Sequence, residues 1–305
     1  MSLITVENMS KRYGKQVVLN EINLKVEPGE VVGIIGPNGA GKTTLFNCLL
    51  GLVRPSSGKV LVNGQQPQAL AVHAMRGFMP ERPAFDTRMS AREFLFFHYC
   101  LIGRKLKDAK AEIERTLDDV EFEEKARRRQ IRTFSRGMLQ RVGLAQVLIG
   151  RPSICILDEP ASGLDPTGVS MVRRLVERWK QEGTTVLVSS HHLDEVEKTC
   201  TRVAFLRGGR IDRLETVSEI TGTSMRFIVH WGTSVPNHEL AASAARLSIA
   251  MELLGTHSAR FIIEDRAQVP ALLEELLKAG VPVEEALFER KNLENICVEW
   301  LQEQP

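Results

Sequence analysis

The sequence has no apolar run of membrane-spanning length. Its longest, FLFFHYCLIG over 94–103, is about ten residues, and a spanning helix needs roughly 20. The chain is therefore not expected to cross a bilayer. The N-terminus MSLITVENMSKRYG carries no apolar segment behind its charges, so no signal peptide is expected. Cysteine is sparse: Cys48, Cys100, Cys155, Cys200 and Cys297 form no C-x-x-C pair and are odd in number. That pattern suits a reducing cytosol and argues against a disulfide framework or a zinc site. Net charge is only +2, which supplies no global field for nucleic acid. Internal repeats and low-complexity segments are also missing.

What is present suits a globular chain. Its 305 residues, 43% hydrophobic and 26% charged, are enough for one large domain or two, each with a buried core. LITVEN, EINLKVEPGE and EVVGIIG read as strands, with Pro28-Gly29 as a turn. VVGII is continuously apolar, as in a strand buried on both faces. Ser90 with Glu93 forms a capping-box pattern ahead of two helical stretches, about 91–103 and 108–120. These make a helical insertion over about 89–133, ending in KARRRQIR, whose run Arg127-Arg128-Arg129 reads as a solvated helix face. Phe94, Phe96, Phe97 and Tyr99 read either as a docking patch or as the insertion's own core. The strands SICILDEP and TTVLVSSH follow, separated by a helix near 168–182. This strand–helix order predicts an α/β fold with a parallel sheet. Composition changes near Gly222. Beyond it MRFIVHW, RFIIED and VEEALFE read as strands, and 238–254, VPALLEELLKAG and NLENICVEWL as helices, giving a small C-terminal α/β domain.

GPNGAGKT, residues 36–43, fits G-x-x-x-x-G-K-[ST] and sits between a buried strand and a helix. Such glycines let successive N–H groups face phosphate oxygens. Gly36, Asn38, Gly39, Ala40, Gly41, Lys42, Thr43 and Thr44 are the candidate phosphate cradle. Lys42 would reach the β- and γ-phosphates, and the Thr43 hydroxyl would meet magnesium. CILDEP, residues 155–160, supplies Asp158 for the magnesium shell and Glu159 for the attacking water, at a strand's C-terminal end where ligands of open α/β sheets bind. FSRGMLQRVGLAQ, residues 134–146, sets Ser135 and Gly137 ahead of a second helix start, a second anion cup.

Seven elements in order resemble the ATP-binding subunit of ABC transporters across about residues 1–220. Tyr13 in KRYGK stands at the place of the adenine-stacking aromatic. Residues 36–43 resemble the Walker A loop, and 154–159 the Walker B strand. Glu81 in GFMPERPAF takes the place of the Q-loop glutamine, here as an acid. FSRGM resembles the signature, with Arg136 for its first glycine and Met138 for its glutamine. SGLDP resembles the D-loop with Asp165, and His191 in VSSHH the switch histidine. The motifs MPERP, SRGMLQR and KNLENICVEWL resemble exporter-type members with separate membrane subunits, a set that includes the ATPase of the nitrous-oxide-reductase maturation transporter.

The resemblance implies a P-loop NTPase fold over 1–221, with a RecA-like core, an antiparallel β subdomain and the helical insertion. Residues 222–305 would be an accessory or regulatory domain. It implies ATP and Mg2+ as ligands, with Glu159, His191 and Glu81 in hydrolysis, and Thr43, Asp158 and Glu81 at the metal. It implies a head-to-tail dimer in which Ser135 and Gly137 close over the ATP of a second copy. Arg136 then either adds a cation near the partner's phosphates or projects into solvent. Transmembrane permease subunits would be further partners, holding the chain on the cytoplasmic face of the cell membrane. Nucleic acid is not expected. A soluble ABC-type ATPase acting on nucleic acid or ribosomes is the alternative, against which stand the absence of a long coiled-coil insertion and the single cassette. A non-hydrolysing regulatory nucleotide binder is disfavoured by Glu159 and His191.

Overall fold

Alternating apolar residues at the start of the chain pair as two antiparallel strands, β1 (Ile4–Tyr13) and β2 (Gln16–Val26). The turn at Pro28-Gly29 leads to β3 (Val31–Ile35), buried at every position as its unbroken apolar sequence predicts. A glycine loop and α1 (Lys42–Leu49) follow, then β4 (Ser57–Val62), the short α2 (Leu70–His73) and β5 (Arg76–Met79). The helical segment holds α3 (Ala91–Leu101), α4 (Ala109–Asp119) and α5 (Arg136–Leu148). Alternation then resumes with β6 (Ile154–Asp158), α6 (Pro166–Gln181), β7 (Thr185–Ser189), α7 (Leu193–Thr199), β8 (Arg202–Arg207) and β9 (Arg210–Thr216). These coordinates are a computed structural model that describes residues 2–221, 225–232, 235, 237–289 and 292–302.

Two sheets share one core in this part. The first is antiparallel, in the order β2-β1-β4; the second has six strands, β5-β6-β7-β3-β8-β9, parallel except for β9. Leu45, Phe46, Cys48 and Leu49 of α1 pack with Ile4, Met9 and Leu24 of one sheet and Val32, Ile34, Ile156 and Leu187 of the other. Each fully buried aliphatic side chain of this kind contributes about 1.5–3 kcal/mol. The functional result is positional. Because β3, β6 and β7 are parallel neighbours, their C-terminal ends lie side by side, and the loops that follow them meet at one edge.

The predicted capping box is present: Ser90 Oγ accepts from Glu93 N at 3.3 Å, and Ser90 N donates to Glu93 Oε2 at 2.7 Å. The insertion's apolar residues divide between faces. Phe94 and Tyr99 are buried, while Phe96 and Phe97 are 45% and 49% exposed. The reading of Arg127-Arg128-Arg129 as a solvated helix face needs correction at Arg127 and in its helical form, whereas Arg128 and Arg129 are exposed as expected. The segment is not an α-helix, and Arg127 is buried, bonded to Glu114 at 2.9 Å, to Asp118 at 2.5 Å and to the carbonyl of Phe122. Arg92 meets the same Glu114 carboxylate. The two arginines therefore share an acid that draws α3, α4 and the following loop together. Glu114's carboxyl is held below its usual range, first by the Arg92 hydrogen bond.

The chain divides into Met1–Thr216 and Val217–Pro305. The boundary lies five residues before the expected 221/222, because α8 (Val217–Thr221) buries Ile220 within the second unit. Gly222 and Lys291, on which parts of the expectation fell, lie outside the described residues. The second unit continues with β10 (Met225–Trp231), α9 (Asn237–Arg246), β11 (Ala250–Leu253), β12 (Ser258–Ile263), α10 (Gln268–Lys278), β13 (Val283–Glu289) and α11 (Leu293–Gln302). Its antiparallel sheet runs β11-β12-β10-β13, a β-α-β-β-α-β arrangement. Leu240 and Ala244 of α9 and Leu272 and Leu276 of α10 cover Phe227, Val229, Phe261 and Ile263 on one face. The helix expected over 238–254 ends early. Ser248 adopts a left-handed φ of 55°, and Ala250–Leu253 pairs with β12 despite its helix-favouring residues.

Each unit has its own buried core. A chain ending at Thr216 should remain folded and unfold in one cooperative transition by circular dichroism. A truncated protein that melts without a transition would show that the two units fold only together.

Candidate functional site

The glycine loop after β3 is shaped by close contacts. A Cβ at Gly36 would lie 2.1 Å from the carbonyl oxygen of Leu206. Gly41 has φ +108°, and a Cβ there would lie 2.7 Å from Leu19 Cδ2. Neither position accepts a side chain, so the loop runs tight against the sheet and enters α1 at Gly41. No side chain caps that helix start. Its first N–H groups and the positive end of its dipole are therefore left without a side-chain partner, an arrangement that suits an anion. Lys42 folds over the same loop, its Nζ donating to the carbonyls of Gly36 at 2.7 Å and Pro37 at 3.2 Å.

Beside it stand the ends of β6 and β7. In their register Asp158 lies opposite Ser189. Asp158 is buried; its Oδ2 accepts from Thr43 Oγ1 at 2.7 Å and its Oδ1 from Ser189 Oγ at 2.5 Å. The Ser189 hydroxyl in turn accepts from Glu159 N at 3.0 Å. Glu159 has a left-handed φ of 53°, a conformation that costs on the order of 1–3 kcal/mol in a residue other than glycine. That turn aims its carboxylate at His191: Oε2 lies 2.6 Å from His191 Nδ1 and accepts from His191 N at 3.3 Å. Glu159's side chain is 13% exposed and His191's 63%, so the acid is sheltered while its imidazole partner faces solvent. The His192 ring lies against that of His191, 4.2 Å between centroids.

Asn38, Gly39, Gly41, Lys42, Thr43, Thr44, Glu81, Asp158, Glu159 and His191 line one cleft of about 540 Å3. Gly36 and the buried Ala40 belong to the loop beneath it. Four other expected residues do not line it. Tyr13 is 48% exposed, with Lys11 Nζ 4.9 Å from its ring centroid. Ser135 caps α5, accepting from Met138 N at 3.3 Å, and Gly137 lies in that helix's first turn. Asp165 caps α6, and its carboxyl is held below the usual range by hydrogen bonds from Gly168 N and Thr167 Oγ1.

Other residues of the site escaped sequence reasoning. Gln16, Val18 and Ser162 line the cleft. Gln140 of α5 is buried, its Nε2 donating to the carbonyls of Glu159 at 3.2 Å and Pro160 at 2.8 Å. Ser189 and Gln140 act on Asp158 and Glu159 across long sequence separations. A hydroxyl closing the strand before His191 was the only available signal for Ser189.

The ABC transporter family model matches residues 19–162. An uncharacterised ABC transporter ATP-binding protein of Nostoc, all4389, is 39% identical over 216 residues, 70% of this chain and 64% of its own length. This chain thus spans just under two thirds of that relative. The lantibiotic transport ATP-binding protein SrtF of Streptococcus pyogenes is 33% identical over 232 residues, 74% of this chain and 98% of SrtF. The chain belongs to the ATP-binding proteins of ABC transporters. Among solved structures, a dimeric bacterial ABC transporter cassette matches with a TM-score of 0.65 and 26% identity, over 70% of this chain and 99% of that one. The P-loop NTPase fold expected from the motif order is thereby established for the ABC cassette of this chain.

Within this ABC cassette the Ser189 hydroxyl bridges both acidic residues of the cleft. Ser189→Ala should lower stability by about 1–3 kcal/mol in urea titration, since Asp158 loses its buried donor. An unchanged midpoint would mean that another donor replaces the hydroxyl.

Proposed function

We propose that the cleft binds ATP with magnesium and hydrolyses it to drive a membrane transporter, working as a pair of copies. The observation that carries this reading is the placement of Glu159. Its sheltered carboxylate stands at a loop-and-helix phosphate cradle, beside the Thr43–Asp158 pair and in contact with His191.

The roles follow from the chemistry of each group. Loop N–H groups and the start of α1 receive phosphate oxygens. Lys42 exchanges its carbonyl partners for the β- and γ-phosphates. Tyr13 stacks on adenine from beside the cleft. Thr43 Oγ1 and Asp158 Oδ2 lie 2.7 Å apart, so two hard oxygen donors already converge at one point, which fits a magnesium ion. Thr43, Asp158 and Glu81 would hold it. When bound, the ion supplies charge neutralisation on the phosphates. Glu159 accepts the proton of the attacking water, and His191 orients that carboxylate. Phosphoryl transfer asks for little else beyond position and charge.

Ser135 and Gly137, outside this cleft's lining, serve the ATP of a second copy packed head to tail, as does Asp165. The likeness to a dimeric cassette supports pairing, and the likeness to SrtF favours transport over action on nucleic acid or ribosomes. Among the described residues no helix is long and apolar enough to cross a membrane. By the likeness to transport ATP-binding proteins, the transmembrane path is assigned to separate subunits, which hold this chain at the cytoplasmic face. The exposed Phe96, Phe97 and Leu101 of α3 suit docking to them. The second unit carries none of the site residues and acts as an accessory domain.

Glu159→Gln should cut hydrolysis by about 10²–10⁴-fold while ATP binding persists, as measured by phosphate release and equilibrium titration. Wild-type turnover in that protein would remove Glu159 from the reaction. Shared sites are tested by mixing Lys42→Ala chains with Ser135→Arg chains, each nearly inactive alone. Every mixed dimer then contains one site with both lesions and one with none, so ATP trapping and turnover should return. Mixed dimers confirmed by mass with no gain in either readout would contradict head-to-tail sharing.

A further inference from the structure

Arg136 stands where the family signature carries a glycine, at the first position of α5 and directly after its cap, Ser135. Its side chain turns back on its own chain. Nη2 donates to Ser162 Oγ at 2.9 Å. The guanidinium covers Gly163, where a Cβ would lie 2.3 Å from Arg136 Nε. Gly163 has φ +77°, so this covered position suits glycine on two counts. Ser162 also lines the cleft that contains Lys42, Thr43, Glu159 and His191, and its N–H donates to the carbonyl of Glu159 at 3.0 Å. One short path thus runs from the Glu159 backbone through Ser162 and Arg136 to the helix start at Ser135.

We infer that Arg136 is a positioning residue that couples the two ATP sites of the dimer, linking through Ser162 the cleft of its own chain to the signature end that serves the partner's ATP. The inference rests on the shared-site reading above. The two struts from α5 to the loop after β6 differ in kind. Gln140 is buried and holds two backbone carbonyls, a fixed join. Arg136 is exposed and is held by a neutral hydroxyl, a bond that can be exchanged. A phosphate arriving at Ser135 offers the guanidinium a charge-assisted, forked partner, stronger than a serine hydroxyl. Arg136 then leaves Ser162, and the loop after β6 is released from α5 at that point. Occupancy of one site is reported to the other through a single side chain, and such coupling is reciprocal by thermodynamic necessity. Lysine would keep the charge without the fork, and glycine would remove the link.

The test is a double-mutant cycle on the full chain, read as the ATP dependence of hydrolysis. Wild type should hydrolyse ATP with a Hill coefficient above one. Ser162→Ala alone and Arg136→Ala alone should each bring it to one and change kcat by roughly fivefold. Ser162→Ala should add nothing in the Arg136→Ala background, because contacting groups are non-additive. ATP affinity of the diluted, unpaired chain should be the same in wild type and Arg136→Ala, whose side chain lies outside the cleft lining. Should the alanine variant unfold at a lower temperature, Arg136→Gln takes its place in the cycle. Equal effects of Ser162→Ala in both backgrounds, no effect in either, a wild-type Hill coefficient of one, or weaker ATP binding by the unpaired Arg136→Ala chain would each overturn the inference. Glu159→Gln with ATP separates the two levels. If it forms a dimer by sedimentation and the cycle is additive, only the coupling role falls. If it forms no dimer, the shared-site reading falls first.

Discussion

The Ser189 hydroxyl is the point on which the cleft depends. It donates a hydrogen bond to Asp158 and accepts one from the Glu159 N–H, so adjacent acids with opposite tasks share a single fixed atom. Asp158 is thereby locked in one rotamer, with one oxygen used and the other presented to Thr43. Glu159 is pinned at its N–H while its backbone turns left-handed and its carboxylate swings toward His191. None of this would hold if β6 and β7 slipped by one residue, because Ser189 would then face the other side of the sheet. Both strands are buried at every position, so a slip would move each side chain into close packing shaped for a residue of another size.

The helical segment solves a different problem with the same kind of bond. Arg127 is buried, and a buried charge is tolerated only with partners. Glu114 and Asp118 supply them, and the Phe122 carbonyl takes remaining donors. Arg92 adds a second cation to Glu114. This cluster fixes α3 against α4 and leaves Phe96 and Phe97 on an outer face that is rigid from beneath. A docking surface of the kind proposed for α3 needs such stiffness more than it needs extra stability.

Features carried by contiguous backbone were legible in the sequence. The loop 36–41, the capping box at Ser90 and Glu93, and the strand ending in Asp158 all declare themselves within a few residues. Ser189, Gln140 and the Arg136–Ser162 bond do not, because each joins segments whose proximity is decided by sheet order. Arg136 illustrates the limit. A sequence offers it the partner's phosphates or open solvent, and the fold provides a third place, over Gly163. Residues Ala250–Leu253 fail for a related reason: their composition favours helix, and pairing with β12 overrides it. Arg127 was misread because a run of like charges says nothing about acids that stand nine and thirteen residues before it.

The lysine folded over its own loop has a kinetic meaning. Bonds from Lys42 to the carbonyls of Gly36 and Pro37 hold the curve of the loop from within. Phosphate capture is then a swap of partners for one ammonium group, and the backbone does not have to order itself as the ligand arrives. The entropy of forming the cradle has already been met by folding. Entry should accordingly proceed at an encounter-limited pace, with release set by how readily Lys42 returns to the two carbonyls it left.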